Sequence, residues 1–373
     1  RLAAELYFQA GSTDRRRALT DESIAMARQL GDGPTIAYVL GAAHWGLFTP
    51  GGAAEREVMA REMLALAEAS GDRNNEASAC SWLFIDLIEQ GDVRGAEDQA
   101  DRELALGDEL RQPEIRWGAL VHLSSIAAFN GDLDEAARLA EEAAALGDRV
   151  GILSAPQMYG VTEIALRRLR GGLEELVPLI ESMIEQYPLV PAWRSGLAYM
   201  YRELGEKEGA REQLEWLARD GFAPLPRDGN WMVGAAILAT VCHLLGDEER
   251  AAELYDEYRE FADYVVMAGL PADILGSAHH FLMLLAATTQ DWERFDHHAA
   301  EALARNEAMG GRTWLATTQI ELAGVLATRG HDGDAERAAE LIAAGLTACH
   351  ELGMSELARR AEAVRGRLGA AGS

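Results

Sequence analysis

The chain has 373 residues, 49% of them hydrophobic, and a formal net charge of −27 with Lys207 as its single lysine. So acidic a surface repels a phosphate backbone, which argues against direct nucleic-acid binding. The longest apolar run, from Met232 to Cys242, stops at His243, short of the ~18 residues a membrane span needs. With no secretory signal in view and Cys80, Cys242 and Cys349 isolated and odd in number, the reading is of reduced core thiols in a cytoplasmic protein without a membrane partner.

In chain order, the sequence opens on Arg1 rather than methionine, which reads as a piece of a longer protein. The run from Glu5 to Ser12 is similar to a protease-cleavage scar from a vector. The native reading is preferred, because Gly11 falls one period before Gly51. A helix over 14–30 ends at Gly31-Asp32-Gly33, and Pro34 opens the next, over 34–45. Gly51-Gly52 turns into a helix over 53–70, and Gly71-Asp72 separates that pair from a helix over 75–90. Residues 121–148 state the pattern most fully. Asn130-Gly131 closes one helix, Asp132 stands at the N-cap of the next, and Glu135 completes a capping box. Ala136, Leu139, Ala140 and Ala143 then give that helix one apolar stripe. A hairpin of this kind cannot bury its own apolar face and needs neighbours like itself.

Those neighbours recur. Gly11, Gly51, Gly91, Gly131 and Gly171 are forty residues apart, and the series continues through Gly205, Gly246, Gln290 and Gly330 at spacings of 34, 41, 44 and 40. Gly91-Asp92 leads to Ala96, Gly131-Asp132 to Ala136, Gly205-Glu206 to Ala210 and Gly246-Asp247 to Ala251, a small residue where two helices approach closely. Self-similarity at this period marks a repeat architecture. Pro178 lies inside the helix after Gly171, which must start late or kink. Irregular stretches fall at 221–229 and around Ala268-Gly-Leu-Pro271, and a final helix over 354–368 caps the open end. The expectation is an all-α, right-handed solenoid over 1–373, one domain of about nine helical hairpins plus the cap, with no β-sheet.

At this point the chain resembles the tetratricopeptide repeat family, whose signature is a glycine-acid turn followed by an early alanine. Most repeats here are about six residues longer than the usual 34. HEAT repeats share the length but lack the Gly-Asp-x-x-x-Ala wording. The layout carries a wider resemblance, through Ala43-His44-Trp45, Tyr187-Pro188, Ala192-Trp193-Arg194, Leu225-Pro-Arg-Asp228, Trp292-Glu293, the run from Ala302 to Asn306, and Glu351-Leu-Gly-Met354. Together these are similar to the C-terminal repeat region of large bacterial signalling ATPases, both MalT/LuxR-type regulators and proteins with an N-terminal cyclase domain. The resemblance implies a switch ATPase preceding the repeats, and repeats that sense an inducer or partner.

Catalytic patterns are absent from the sequence. Lys207 sits between Glu206 and Glu208, so no phosphate-binding loop exists, and there is no Gly-x-Ser-x-Gly elbow. Cys242-His243 and Cys349-His350 are adjacent on helices and point about 100° apart, a poor thiol–base geometry. Asp332-x-Asp334-x-Glu336 hints at calcium, but Arg337 stands where the calcium loop requires glycine. His279-His280 and His297-His298 flank the turn at Gln290, close enough to consider a metal. The same angular argument gives neither pair two ligands on one face, so they read as surface or groove histidines. Trp117, Trp193, Trp231 and Trp314 read as core, and Trp82 as facing either way.

Function then falls to the concave surface. Registering each pair on its turn places Ile85, Val121, Ser125, Tyr199, Arg202, Thr240, His243 and His280 toward that groove. The expectation is a non-enzymatic binding and sensor module without a cofactor, taking a protein, a peptide or a small inducer. The alternatives are a stand-alone adaptor and, from another class, a metalloenzyme built on the histidines.

Overall fold

The computed structural model describes residues 2–5, 12–186 and 191–371. The first turn glycine, Gly11, and the Tyr187-Pro188 pair lie outside the described residues. In order the helices are α1 (Leu2–Glu5), α2 (Thr13–Leu30), α3 (Gly33–Gly46), α4 (Ala53–Ser70), α5 (Arg73–Gln90), α6 (Val93–Leu110), α7 (Pro113–Asn130), α8 (Leu133–Val150) and α9 (Ala155–Arg170). A 3-10 turn (Leu173–Leu176) leads to α10 (Val177–Gln186), α11 (Pro191–Leu204), α12 (Lys207–Leu217), the single turn α13 (Arg219–Phe222), α14 (Trp231–Leu245) and α15 (Glu248–Tyr258). After a second 3-10 turn (Arg259–Phe261) come strands β1 (Val265–Ala268) and β2 (Asp273–Ser277). The chain ends on α16 (Ala278–Thr288), α17 (Trp292–Ala308), α18 (Arg312–Arg329), α19 (Asp334–Leu352) and α20 (Ser355–Ala371).

Local chemistry sets these boundaries. The carboxylates of Asp72, Asp92, Asp132, Asp247 and Asp291 each accept from the amide three residues on, which satisfies a donor the helix start would otherwise leave open. From residue 31 to 171, a residue with positive φ recurs every twenty positions. The forty-residue glycine period is thus half of the turn pattern, since the turns between pairs repeat as regularly as those within them. Glycine holds all of these positions except 111, where Arg111 adopts φ 52°. Ala96, Ala136, Ala210 and Ala251 are all fully buried, as their place at close helix contacts requires. Pro178 sits at the second position of α10, so the helix after Gly171 starts late.

Consecutive helices pack on one another, and an inner row is formed by α3 on α5, α5 on α7 and α7 on α9, and further along by α11 on α14 and α14 on α16. The array also winds back on itself: α18 packs on α7 and α20 on α9. Thr313 Oγ1 donates to Phe129 O at 3.1 Å, and Ser355 Oγ to Arg170 O at 2.8 Å. Gly311 lies so close to the Phe129 ring that a Cβ there would stand 2.2 Å from it. The largest apolar cluster accordingly reaches from Phe48 to Val364.

The helix-only expectation fails at β1 and β2, which pair antiparallel with Met267 opposite Ile274 and Ala268 opposite Asp273. Four and five residues are too few for a periodicity signal, and both strands are almost entirely buried, so the alternation of a half-exposed strand is missing. The hairpin packs on the inner row, β1 against α5 and α14, β2 against α7 and α9. Thr162 Oγ1 donates to Ala272 O at 3.2 Å, and the His122 ring lies 3.3 Å from Leu270 O.

Candidate functional site

The eight sequence-nominated groove residues all lie on inner-row helices, but this face is enclosed rather than open. Ile85, Val121, Ser125, Tyr199, Thr240 and His280 are buried, and the Arg202 side chain keeps 8% of its surface. The reason is the winding: the hairpin lies against α5 and α7, while α18 and α20 close over α7 and α9. Val121 packs with Leu120, Leu139 and the hairpin residue Ala272. Ser125 Oγ and Thr240 Oγ1 donate to carbonyls of their own helices at 2.7 Å.

Ile85 belongs to the main apolar core, and Tyr199, Arg202, His243 and His280 converge on a polar interior. Arg202 donates to Glu321 at 2.6 Å and to Glu203, and Arg360 bridges the same two carboxylates at 2.5 Å. Burial opposes charge on Glu321, but Arg202 and Arg360 outweigh it and hold the carboxyl well below its usual range. The same balance keeps Arg202 charged, against burial, through Glu321 and Glu203. His280 Nδ1 lies 3.0 Å from Thr318 Oγ1. Thr318 already donates its hydroxyl proton to Trp314 O, so the imidazole is the donor. Burial pushes His280 down to about 3 and lowers His243 too, so both are neutral at pH 7. Asp273 on β2 is raised to about 6 by burial, with Arg168 pulling the other way. Two polar atoms of this interior, Tyr199 Oη and Arg168 Nε, are buried without a hydrogen-bond partner.

Sequence reasoning missed Glu321, Glu203, Arg360, Arg168 and Asp273. A usable signal existed for the first, since Glu321 is the single acid in an otherwise apolar and neutral stretch of α18. Asp273 offered none, because its strand was not foreseen.

A second constellation lies at the foot of the hairpin. One ring nitrogen from each of His279, His297 and His298 falls within 4.8 Å of the others. His279 Nδ1 and His298 Nδ1 are 2.8 Å apart, His298 Nε2 is 2.9 Å from Tyr255 Oη, and His279 Nε2 is 3.9 Å from Asp263 Oδ1. Both neighbours on α17 approach His279, which the angular argument does not anticipate. The ring centroids of His297 and His298 lie 5.8 and 5.0 Å from that of His279 on α16. Burial pushes His279 to about 4, helped by Arg305, and His298 to about 4, helped by the other two imidazoles.

The other nominated chemistry is structural. Asp334 is taken up by Arg329 at 2.6 Å and by the His331 amide. Cys242 and Cys80 are pushed up to about 12 by burial and Cys349 to about 11, which leaves inert thiols. Trp82 is buried and stacks on His44 at 4.8 Å. Trp231 and Trp314 are core, whereas Trp117 and Trp193 are half-buried. No helix among the described residues is long and apolar enough to cross a membrane. Compared with known proteins, the chain matches no family model and no curated protein.

Proposed function

We propose that this chain is a non-enzymatic sensing arm, a right-handed tetratricopeptide-like superhelix of the kind that bacterial signalling ATPases carry at their C-terminal end. Its working partner is then a switch ATPase in the cytoplasm, and its ligand a small polar inducer rather than a peptide. The observation that carries this reading is the enclosed polar interior. Tyr199, Arg202, His243 and His280, drawn from successive inner-row helices, meet Glu321 and Arg168 there, and Tyr199 Oη and Arg168 Nε lack partners. A buried donor without a partner costs about 1–3 kcal/mol, and a ligand that satisfies it binds the wound state preferentially. Such a ligand shifts the population toward that state in proportion to its differential affinity.

The test uses Tyr199→Phe, which removes the unpartnered hydroxyl and leaves the ring. Sugars, dicarboxylates and amino acids are screened for a rise in Tm of the wild-type chain. A compound that stabilises the wild type and stabilises Tyr199→Phe less supports the sensor. If nothing small stabilises the chain while a protein partner binds wild type and variant alike, the adaptor reading replaces it.

A further inference from the structure

We propose that His279, His297 and His298 form a zinc site, with water as the fourth ligand and Asp263 and Tyr255 orienting two of the imidazoles from behind. Three imidazole nitrogens without a thiolate suit a late first-row divalent ion, whereas calcium and magnesium prefer cages of oxygen.

The arrangement around the rings is that of a ligand set. His279 Nδ1 and His298 Nδ1 face each other at 2.8 Å, and behind each ring the second nitrogen faces an oxygen, Asp263 Oδ1 at 3.9 Å or Tyr255 Oη at 2.9 Å. If both outer nitrogens carry the proton, two lone pairs confront one another across the gap, and a cation between them removes the conflict. A metal-bound histidine characteristically donates its other N–H to a carboxylate or another oxygen in this way. His279 Nε2 is buried and has no hydrogen-bond partner, so the ring is not accounted for by the hydrogen bonds present. Closure of Asp263 onto that nitrogen when an ion binds accounts for it.

The movements required are small. Zinc–nitrogen bonds of 2.0–2.1 Å place tetrahedral ligand atoms ~3.3 Å apart. The Nδ1 pair therefore opens by about half an ångström, while the His297 ring closes in from no more than 4.8 Å. His297 is exposed and gives the site its door to solvent, while His279 and His298 are buried. Two charges oppose the ion: the Arg305 guanidinium, bonded to Asp263 and lying 3.2 Å from Glu301, and the Arg294 guanidinium, 4.8 Å from the Tyr255 ring centroid. Asp263 precedes β1 and His279 follows β2, so an ion here ties together the two feet of the hairpin that lines the interior.

The test titrates Co²⁺, and then Zn²⁺ in competition, into the tag-free chain stripped with chelator. The site predicts one cobalt per chain with the intense visible bands of four-coordinate Co²⁺, bleached by one equivalent of zinc. His297→Gln, whose exposed position spares the fold, is expected to weaken cobalt binding by ~10–100-fold with an unchanged metal-free Tm. His350→Gln, on the exposed face of α19, serves as the control and is expected to leave binding unchanged. The proposal is overturned by the weak bands of six-coordinate cobalt, which acidic surface groups alone would produce. It is equally overturned by the absence of a stoichiometric end point, or by a His297→Gln chain that binds as tightly as wild type.

Discussion

In the run from α4 to α8 every helix has eighteen residues and every turn has its left-handed residue. Buried charges there, Arg56 with Asp86 and Glu89 and His122 with Glu103, pair within about thirty residues, and many of its other ion pairs are partly exposed. Arg73 pairs with Glu109, Arg116 with Glu142 and Arg138 with Glu135, all with partly exposed side chains. From Arg259 to Glu321 the chain instead places a 3-10 turn, a buried hairpin and an eleven-residue helix, and turns His279, His280, His298 and Asp273 inward. The first region is stabilised by contacts between neighbours in sequence. The second is stabilised by contacts across the winding, such as Arg202 with Glu321 and Arg168 with Thr317 at 3.3 Å. Partly exposed pairs between neighbouring helices tolerate loss of any one of them. A buried network whose members come from α11, α18 and α20 does not.

The largest expected effect tests that contrast directly. Glu321→Ala leaves Arg202 and Arg360 facing each other with one acceptor fewer, and removal of one partner from a buried charged network costs about 3–5 kcal/mol. Glu142→Ala breaks a surface pair and is expected to stay within about 0.5–1 kcal/mol. Both are read from urea unfolding midpoints at constant slope. Equal losses would erase the distinction between the two regions.

Asp273 provides the next effect, on pH dependence. Its carboxyl titrates at about 6 in the folded chain against an ordinary value of 3.8, because burial disfavours the charge. The folded state therefore binds this proton more tightly than the unfolded one. Its contribution is fully favourable below pH 3.8 and is lost as the pH rises through 6. At pH 7 Asp273→Asn is expected to stabilise by on the order of 1–3 kcal/mol, with the gain fading as the pH is lowered to 4. A variant that is stabilised equally at both pH values would assign the effect to packing instead.

Legibility in the sequence divides along the same line. The turns at Gly51, Gly91, Gly131 and Gly171, the Asp132 cap and the buried Ala136 were readable because glycine, aspartate and alanine each answer a local steric or hydrogen-bonding demand. The eight residues expected in the groove fall on α5, α7, α11, α14 and α16. Their enclosure was not readable, because it depends on α18 meeting α7 almost two hundred residues away. The hairpin shows why short buried strands escape: Val265-Val-Met-Ala carries β-branched residues, but both faces are covered and no alternation remains. The approach of His297 and His298 to His279 escapes an argument on Cα directions, because a rotatable side chain can bring its ring to a residue on the facing helix.

The smallest effect asks whether the turns, at least, obey one rule in both regions. Gln290 occupies the place where the forty-residue series calls for glycine, and it adopts φ 56° like the glycines it replaces. It is exposed, and its neighbour's amide completes the turn, Asp291 N donating to Ala286 O at 2.9 Å. A side chain in the left-handed region costs about 1–2 kcal/mol through its Cβ. Glycine removes that strain but adds about 0.5–1 kcal/mol of unfolded-state entropy. Gln290→Gly is therefore expected to stabilise by a few tenths to ~1 kcal/mol, and Arg111→Gly, with φ 52° and an exposed side chain, by the same amount. Equal gains in the two, measured by thermal unfolding side by side, would establish that the irregular region departs from the regular one in its interior but not in its turns. A gain at Arg111 alone would mean that the Gln290 side chain has acquired a contact worth more than its strain, and that the departure extends to the turn itself.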